Sequence, residues 1–159
     1  LEFRRVLFRS LNNDFHASIA IVLASGGVRC ASEAVYSYRK GQAGSLSGSH
    51  SRRAFESALL TTQLGCQLLL IREDSPRIRR LCAARYQRWA YDFFPMYPDL
   101  ADTAVLLCRQ LGGAEVPFPG GRLGKVLAAL LGWRNARRLQ RIACWGGWTC
   151  VRYLKRKLL

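Results

Sequence analysis

Residues 52–95, RRAFESALLTTQLGCQLLLIREDSPRIRRLCAARYQRWAYDFFP, decide the fold. Phe55, Leu59, Thr62, Cys66 and Leu69 recur at the spacing of one helical face, which predicts a helix over Arg52–Glu73. Ser75 followed by Pro76 reads as the next helix start, a capping hydroxyl ahead of a proline whose missing N–H costs nothing in a first turn. Ile78, Leu81, Cys82, Tyr86, Trp89 and Phe93 then mark the apolar side of a second helix running to about Phe93, and Pro95 and Pro98 break it. Two long helices back to back, with no intervening strand, point to a mostly α architecture.

Working outward, Asp99–Leu111 reads as a third helix stopped by Gly112-Gly113. Asp99 and Asp102 fall in its first turn, at a spacing that is not Asp-x-Asp. Residues 114–122 form a linker, followed by a short helix over Leu123–Leu131 and a longer basic helix from about Arg134. Upstream, residues 41–51 (GQAGSLSGSHS) are a Gly/Ser-rich loop. Ahead of that loop lie two short apolar stretches, Val28–Ala31 and Ala34–Tyr38, the second rich in residues that suit a pleated surface. Leu11–Ala24 is predicted to be a helix with Asn12, Asn13 and Asp14 at its cap and Ser25, Gly26 and Gly27 at its end.

The first ten residues, LEFRRVLFRS, match the in-frame translation of a short-read sequencing adapter and are set aside as non-native, so the protein is expected to extend upstream of Leu11. Asn12, Asn13 and Asp14 interrupt any signal-peptide core there. The chain carries a formal net charge of +15. The excess is concentrated late, because residues 116–159 hold ten Lys or Arg and no Asp or Glu. Such a segment favours anionic partners: phospholipid head groups, nucleic acid or an acidic protein face. Six cysteines show neither a CxxC pair nor zinc-ligand spacing. Several lie on apolar stripes, as free thiols do in a reduced compartment. The longest apolar run, Ala58–Ile71, is interrupted by Thr61, Thr62, Gln63 and Gln67, which predicts a soluble or peripheral protein.

Several of these segments resemble one family. LNNDFHASIAIVLASGGVRCASEAVYSYRKGQAGSLS (residues 11–47) is similar to the stretch that closes the catalytic domain of family 2-type glycosyltransferases, inverting enzymes of the GT-A fold. In that family an acidic motif opens a helix, and a strand pair and a Tyr-Arg-x-x-x-Gly-Ser-x-Ser loop follow. The corresponding positions are Asn12, Asn13 and Asp14, then Tyr38, Arg39, Gly44, Ser45 and Ser47, with four residues between Arg39 and Gly44 where the motif has three. EDSPRIRRLCAARYQRWAYDFFP and LGWRNARRLQR resemble the helical tail of a bacterial subgroup.

The resemblance implies a C-terminal fragment of an α/β nucleotide-sugar transferase: a small β remnant within residues 11–51, a helical region over 52–113, the linker, and a basic helical tail over 123–159. It implies transfer of a sugar from a nucleotide-sugar donor to an acceptor hydroxyl in cell-envelope or polysaccharide synthesis, in the cytoplasm or at the inner face of the membrane. Asp14 aligns with the catalytic base, which accepts the hydroxyl proton, and a helix N-terminus suits its negative charge. On spacing alone Asp14 reads as a helix cap; the surrounding motifs put the base beside it as an equal reading. Arg39, Ser45 and Ser47 align with the diphosphate or acceptor side of the pocket, or simply close a surface loop. The family also implies a divalent cation, Mg or Mn, whose Asp-x-Asp ligands are missing from this chain. Asn13 stands where the family often has a second acid, and His16 stands where Asp or Glu is usual. His50 is a lone loop histidine, a solvated residue or a metal ligand.

A different reading takes the chain as a non-catalytic basic module. From Arg134 onward Leu139, Ile142, Trp145, Trp148, Val151, Leu154 and Leu158 form a stripe among arginines and lysines. That stripe either packs on the preceding helices or lies on an anionic membrane through residues 134–159. No helix-turn-helix, zinc or RNA-binding signature points to specific nucleic-acid recognition.

Overall fold

The structure, a computed structural model, describes residues 12–29, 31–33, 35 and 50–143. Six helices run through them: α1 (Asn13–Ala24), α2 (Arg52–Arg72), α3 (Pro76–Phe93), α4 (Pro98–Gln110), α5 (Arg122–Leu131) and α6 (Trp133–Ala143). The fold is mostly α, and the described residues contain no strand. Val28, Arg29 and Ala31 are irregular, with a turn at Ser32–Glu33, so the first of the two expected β stretches is not a strand where it is described. Most of the second lies outside the described residues.

The two long helices start where their hydroxyl caps direct. The Ser51 side chain accepts from the Ala54 N–H at 3.2 Å and that of Ser75 from the Ile78 N–H at 3.3 Å. Each satisfies one of the donors that a helix start leaves open. Pro98 does not separate helices as expected. It occupies the first turn of α4, where its ring is compatible with helical geometry, and the break falls at residues 94–97. The α4 stop has the expected glycines: Gly112 and Gly113 adopt φ of 94° and 76°, and their N–H groups return to the Arg109 and Cys108 carbonyls.

α2, α3 and α4 enclose the main core. Phe55, Leu59 and Cys66 from α2 meet Cys82, Ala83, Tyr86, Ala90 and Phe93 from α3 and Leu100, Ala101, Ala104 and Cys108 from α4. Leu81 is a correction to the expected apolar face. It is exposed, because the buried stripe of α3 runs through Cys82 and Ala83, one residue further round the helix. The hydrogen bond to Cys82 and burial push the Cys66 thiol up, so it sits in the core as a small protonated hydrophobe. By length and composition alone α2 could cross a bilayer. Its packing, with Thr61 and Thr62 fully buried among neighbouring helices, is that of a core helix.

A second cluster joins the segment after α4 to the last helices. Phe118 is buried against Tyr91, with ring centroids 5.5 Å apart, and the Tyr91 hydroxyl donates to the Val116 carbonyl at 3.0 Å. Trp133 meets Tyr91 and Phe94 edge-on at 5.2 and 5.5 Å, which seats α6 on the end of α3. α6 turns Ala136 inward and leaves Leu139 and Ile142 exposed. The apolar stripe expected from Arg134 onward is therefore not, in its described part, the face that packs on the bundle.

α1 lies on α2 at a notch made by Gly65. A Cβ built there would come within 2.7 Å of the Phe15 ring and 3.0 Å of Ile19 Cδ1. Gly65→Val is therefore expected to lower stability by about 1–3 kcal/mol through overpacking. Amide hydrogen exchange should rise across α1 while α3 and α4 stay protected; uniform protection would mean that α1 is not seated through this notch.

Candidate functional site

The candidate site is the start of α1 and what holds it. Asn12 precedes the helix in the left-handed region, at φ 64° and ψ 23°, a conformation asparagine tolerates better than most residues. Its side chain does not cap the helix as expected. It turns inward instead. Asn12 Nδ2 donates to the Thr61 and Thr62 hydroxyls at 3.4 and 3.3 Å, and Asn12 Oδ1 accepts from an Arg85 guanidinium nitrogen at 2.6 Å.

The hydroxyls it reaches are buried inside α2. Thr61 donates back to the Ser57 and Ala58 carbonyls and Thr62 to the Ala58 carbonyl, which leaves their lone pairs free to accept. The Trp89 indole N–H takes one of these sites, donating to Thr62 at 2.9 Å. Arg85 lies over the Phe15 ring at 4.9 Å and the Trp89 ring at 5.4 Å. Burial lowers its pKa below the ordinary arginine value, although the guanidinium stays charged. Its Nε is buried with no hydrogen-bond partner. Three helices thus meet at one polar knot, in which Thr62 serves two donors.

Thr62→Val keeps the shape and removes that acceptor, stranding the Trp89 N–H. The expected loss is about 1–3 kcal/mol in urea unfolding, with Thr62→Ser retaining most of the stability. Equal losses in Val and Ser would place the role in the methyl group instead.

Two residues past this anchor, in the first turn of α1, stands Asp14. It is exposed and has no hydrogen bond or ion pair among the described residues. It does not serve as the helix cap. His16 follows on the same turn and is half-buried. The other candidate residues, Arg39, Ser45 and Ser47, lie outside the described residues, as do Tyr38 and Gly44. His50 is exposed, its ring edge 5.8 Å from Phe55, and its carbonyl accepts from the Tyr97 hydroxyl. No group of three or more His, Cys, Asp or Glu side chains suited to a metal ion occurs among the described residues.

In the sequence Thr61, Thr62 and Trp89 were read only as helix positions and Asn12 as a cap, and Arg85 was not singled out. The available signal was Thr61-Thr62 in the middle of an apolar helix, since two hydroxyls there require partners from other elements. No family model, curated protein or solved structure matches the chain.

Proposed function

We propose that this chain is the acceptor-side, C-terminal part of a family 2-type glycosyltransferase, which moves a sugar from a nucleotide-sugar to an acceptor hydroxyl in cell-envelope or polysaccharide synthesis, in the cytoplasm or at the inner membrane face. The observation that carries this reading is the placement of Asp14: an exposed carboxylate, without a partner among the described residues, on the first turn of a helix whose preceding residue is tied into a buried polar knot. A general base needs that combination of a solvent-accessible oxygen and a fixed mount. In the reaction, the acceptor oxygen attacks the anomeric carbon as Asp14 takes its proton. The bond to the nucleoside diphosphate breaks on the opposite face, inverting the configuration.

A second feature supports the assignment to a larger enzyme. α1 carries apolar residues on more than one face: Phe15 and Ile19 face α2, while Ile21, about 140° round the helix, is 68% exposed. Helices of that character belong between two layers. In the proposed enzyme the donor-binding sheet covers the outer face. The divalent cation that the family implies would need ligands beyond those described, since no group of three or more His, Cys, Asp or Glu side chains suited to a metal occurs among the described residues. No step is assigned to a metal on this chain.

The test is sugar transfer by the full-length protein, read from genomic sequence upstream of Leu11. A panel of nucleotide-sugars offered with cell-envelope acceptors should yield a product of inverted anomeric configuration. An upstream sequence without a nucleotide-binding domain, or no transfer from any donor, would remove the reading.

A further inference from the structure

We propose that α5 carries a docking surface for an anionic phospholipid bilayer, separate from the Asp14 site. At 100° per residue, Val126, Leu130 and Leu123 fall within an arc of roughly 60° on this helix. They are 54%, 76% and 69% exposed. Ala128, on the side opposite the stripe, and Leu127, at its edge, pack on the second core cluster, so the helix is seated and its stripe faces outward. Arg122 borders the stripe and Lys125 lies about a further 60° round the helix, and neither has an ion-pair partner among the described residues.

The cations of α6 differ in this respect. Arg134 pairs with Asp102, and Arg137 lies 3.8 Å from Asp92, so part of the charge on that helix holds it to α3 and α4. Arg138 and Arg141 of α6 also have no ion pair among the described residues, whereas on α5 both cations are unpaired there and accompany a three-residue open stripe.

The combination selects the occupant. A row of aliphatic side chains bordered by lysine and arginine matches the boundary between acyl chains and anionic head groups, where the stripe enters and the cations meet phosphates. Nucleic acid would use the cations and leave Leu123, Val126 and Leu130 against water or phosphate. An acid-free surrounding stretch, residues 116–159, adds to the attraction and contains nothing to repel an anionic leaflet. The surface is independent of the sugar-transfer reading, since it shares no residue with the Asp14 site.

Flotation of the full chain with phosphatidylglycerol/phosphatidylcholine vesicles, against phosphatidylcholine alone, tests it. Binding should favour the anionic vesicles by about tenfold or more and weaken as salt is raised. L123Q/V126Q/L130Q should lose about tenfold or more of that binding, and R122Q/K125Q should lose several-fold together with much of the salt dependence. All five positions are exposed, so the circular dichroism and melting of both variants should match the parent. Three results overturn the proposal. One is flotation of the stripe variant equal to the parent, which places binding in another segment. A second is retardation of duplex DNA with no flotation. The third is a dimer by light scattering that the stripe variant converts to monomer, again with no flotation.

Discussion

Replacing Phe93 by alanine is expected to lower the unfolding free energy by about 3–5 kcal/mol. The side chain is fully buried, stacked on Trp89 at 5.3 Å and tilted against Phe55 at the same distance, where α2, α3 and the turn into α4 converge. Phe55 in turn meets Tyr97 edge-on at 5.6 Å, so the cavity would open inside a chain of aromatic contacts that cannot close without moving a helix. A domain of this kind is held by only about 5–15 kcal/mol, so the variant should be largely unfolded in modest denaturant. The check is a urea titration followed by far-UV circular dichroism, with Leu81→Ala as comparison. Leu81 lies on the same helix but is exposed, and its truncation should change stability by no more than about 0.5 kcal/mol. Similar losses at the two positions would mean that the bundle is not organised around this aromatic interior.

If the proposed glycosyltransferase reading holds, Asp14→Asn is expected to reduce kcat by about 10²–10⁴-fold with little change in donor KM. Asparagine keeps the size and the hydrogen-bonding reach of the side chain but cannot take a proton from the acceptor. Because Asp14 is exposed and has no described partner, the substitution should leave the melting temperature unchanged, which separates lost chemistry from lost structure. Turnover like that of the parent protein would take Asp14 out of the mechanism.

The helices were legible in sequence where local chemistry defines them. Ser51 and Ser75 mark the starts of α2 and α3, and the spacing of Phe55, Leu59, Thr62 and Cys66 names the buried face of α2, because caps and periodicity act within a few residues. Errors came where two local rules compete or where distance decides. Pro98 can break a helix or begin one, and the chain uses it to begin α4. Leu81 misled because its size outweighed its position, while the small residues Cys82 and Ala83 take the close contact. Phe118 sits in a stretch whose prolines and glycines read as a linker, yet its ring is buried against Tyr91.

The site was legible only in part. The place of Asp14 in the first turn of a helix was legible from the local pattern. Its mount was not, because Asn12 reaches Thr62 and Arg85 across 50 and 73 residues of chain, and no local pattern encodes such pairings. The same distance explains the mistaken cap: Asn12 is a good capping residue that finds stronger partners in the tertiary structure.

The notch at Gly65 has a consequence for aim. A glycine at which Phe15 and Ile19 rest fixes where α1 stops along the neighbouring helix and how it is rotated. A slip of one residue would carry the Asp14 oxygen about 1.5 Å along the axis and turn it by about 100°. In the proposed enzyme a misplacement of about 1 Å is enough to cost on the order of a hundredfold in rate. Gly65, though it would touch no sugar, would then act as the sighting stop for the catalytic oxygen.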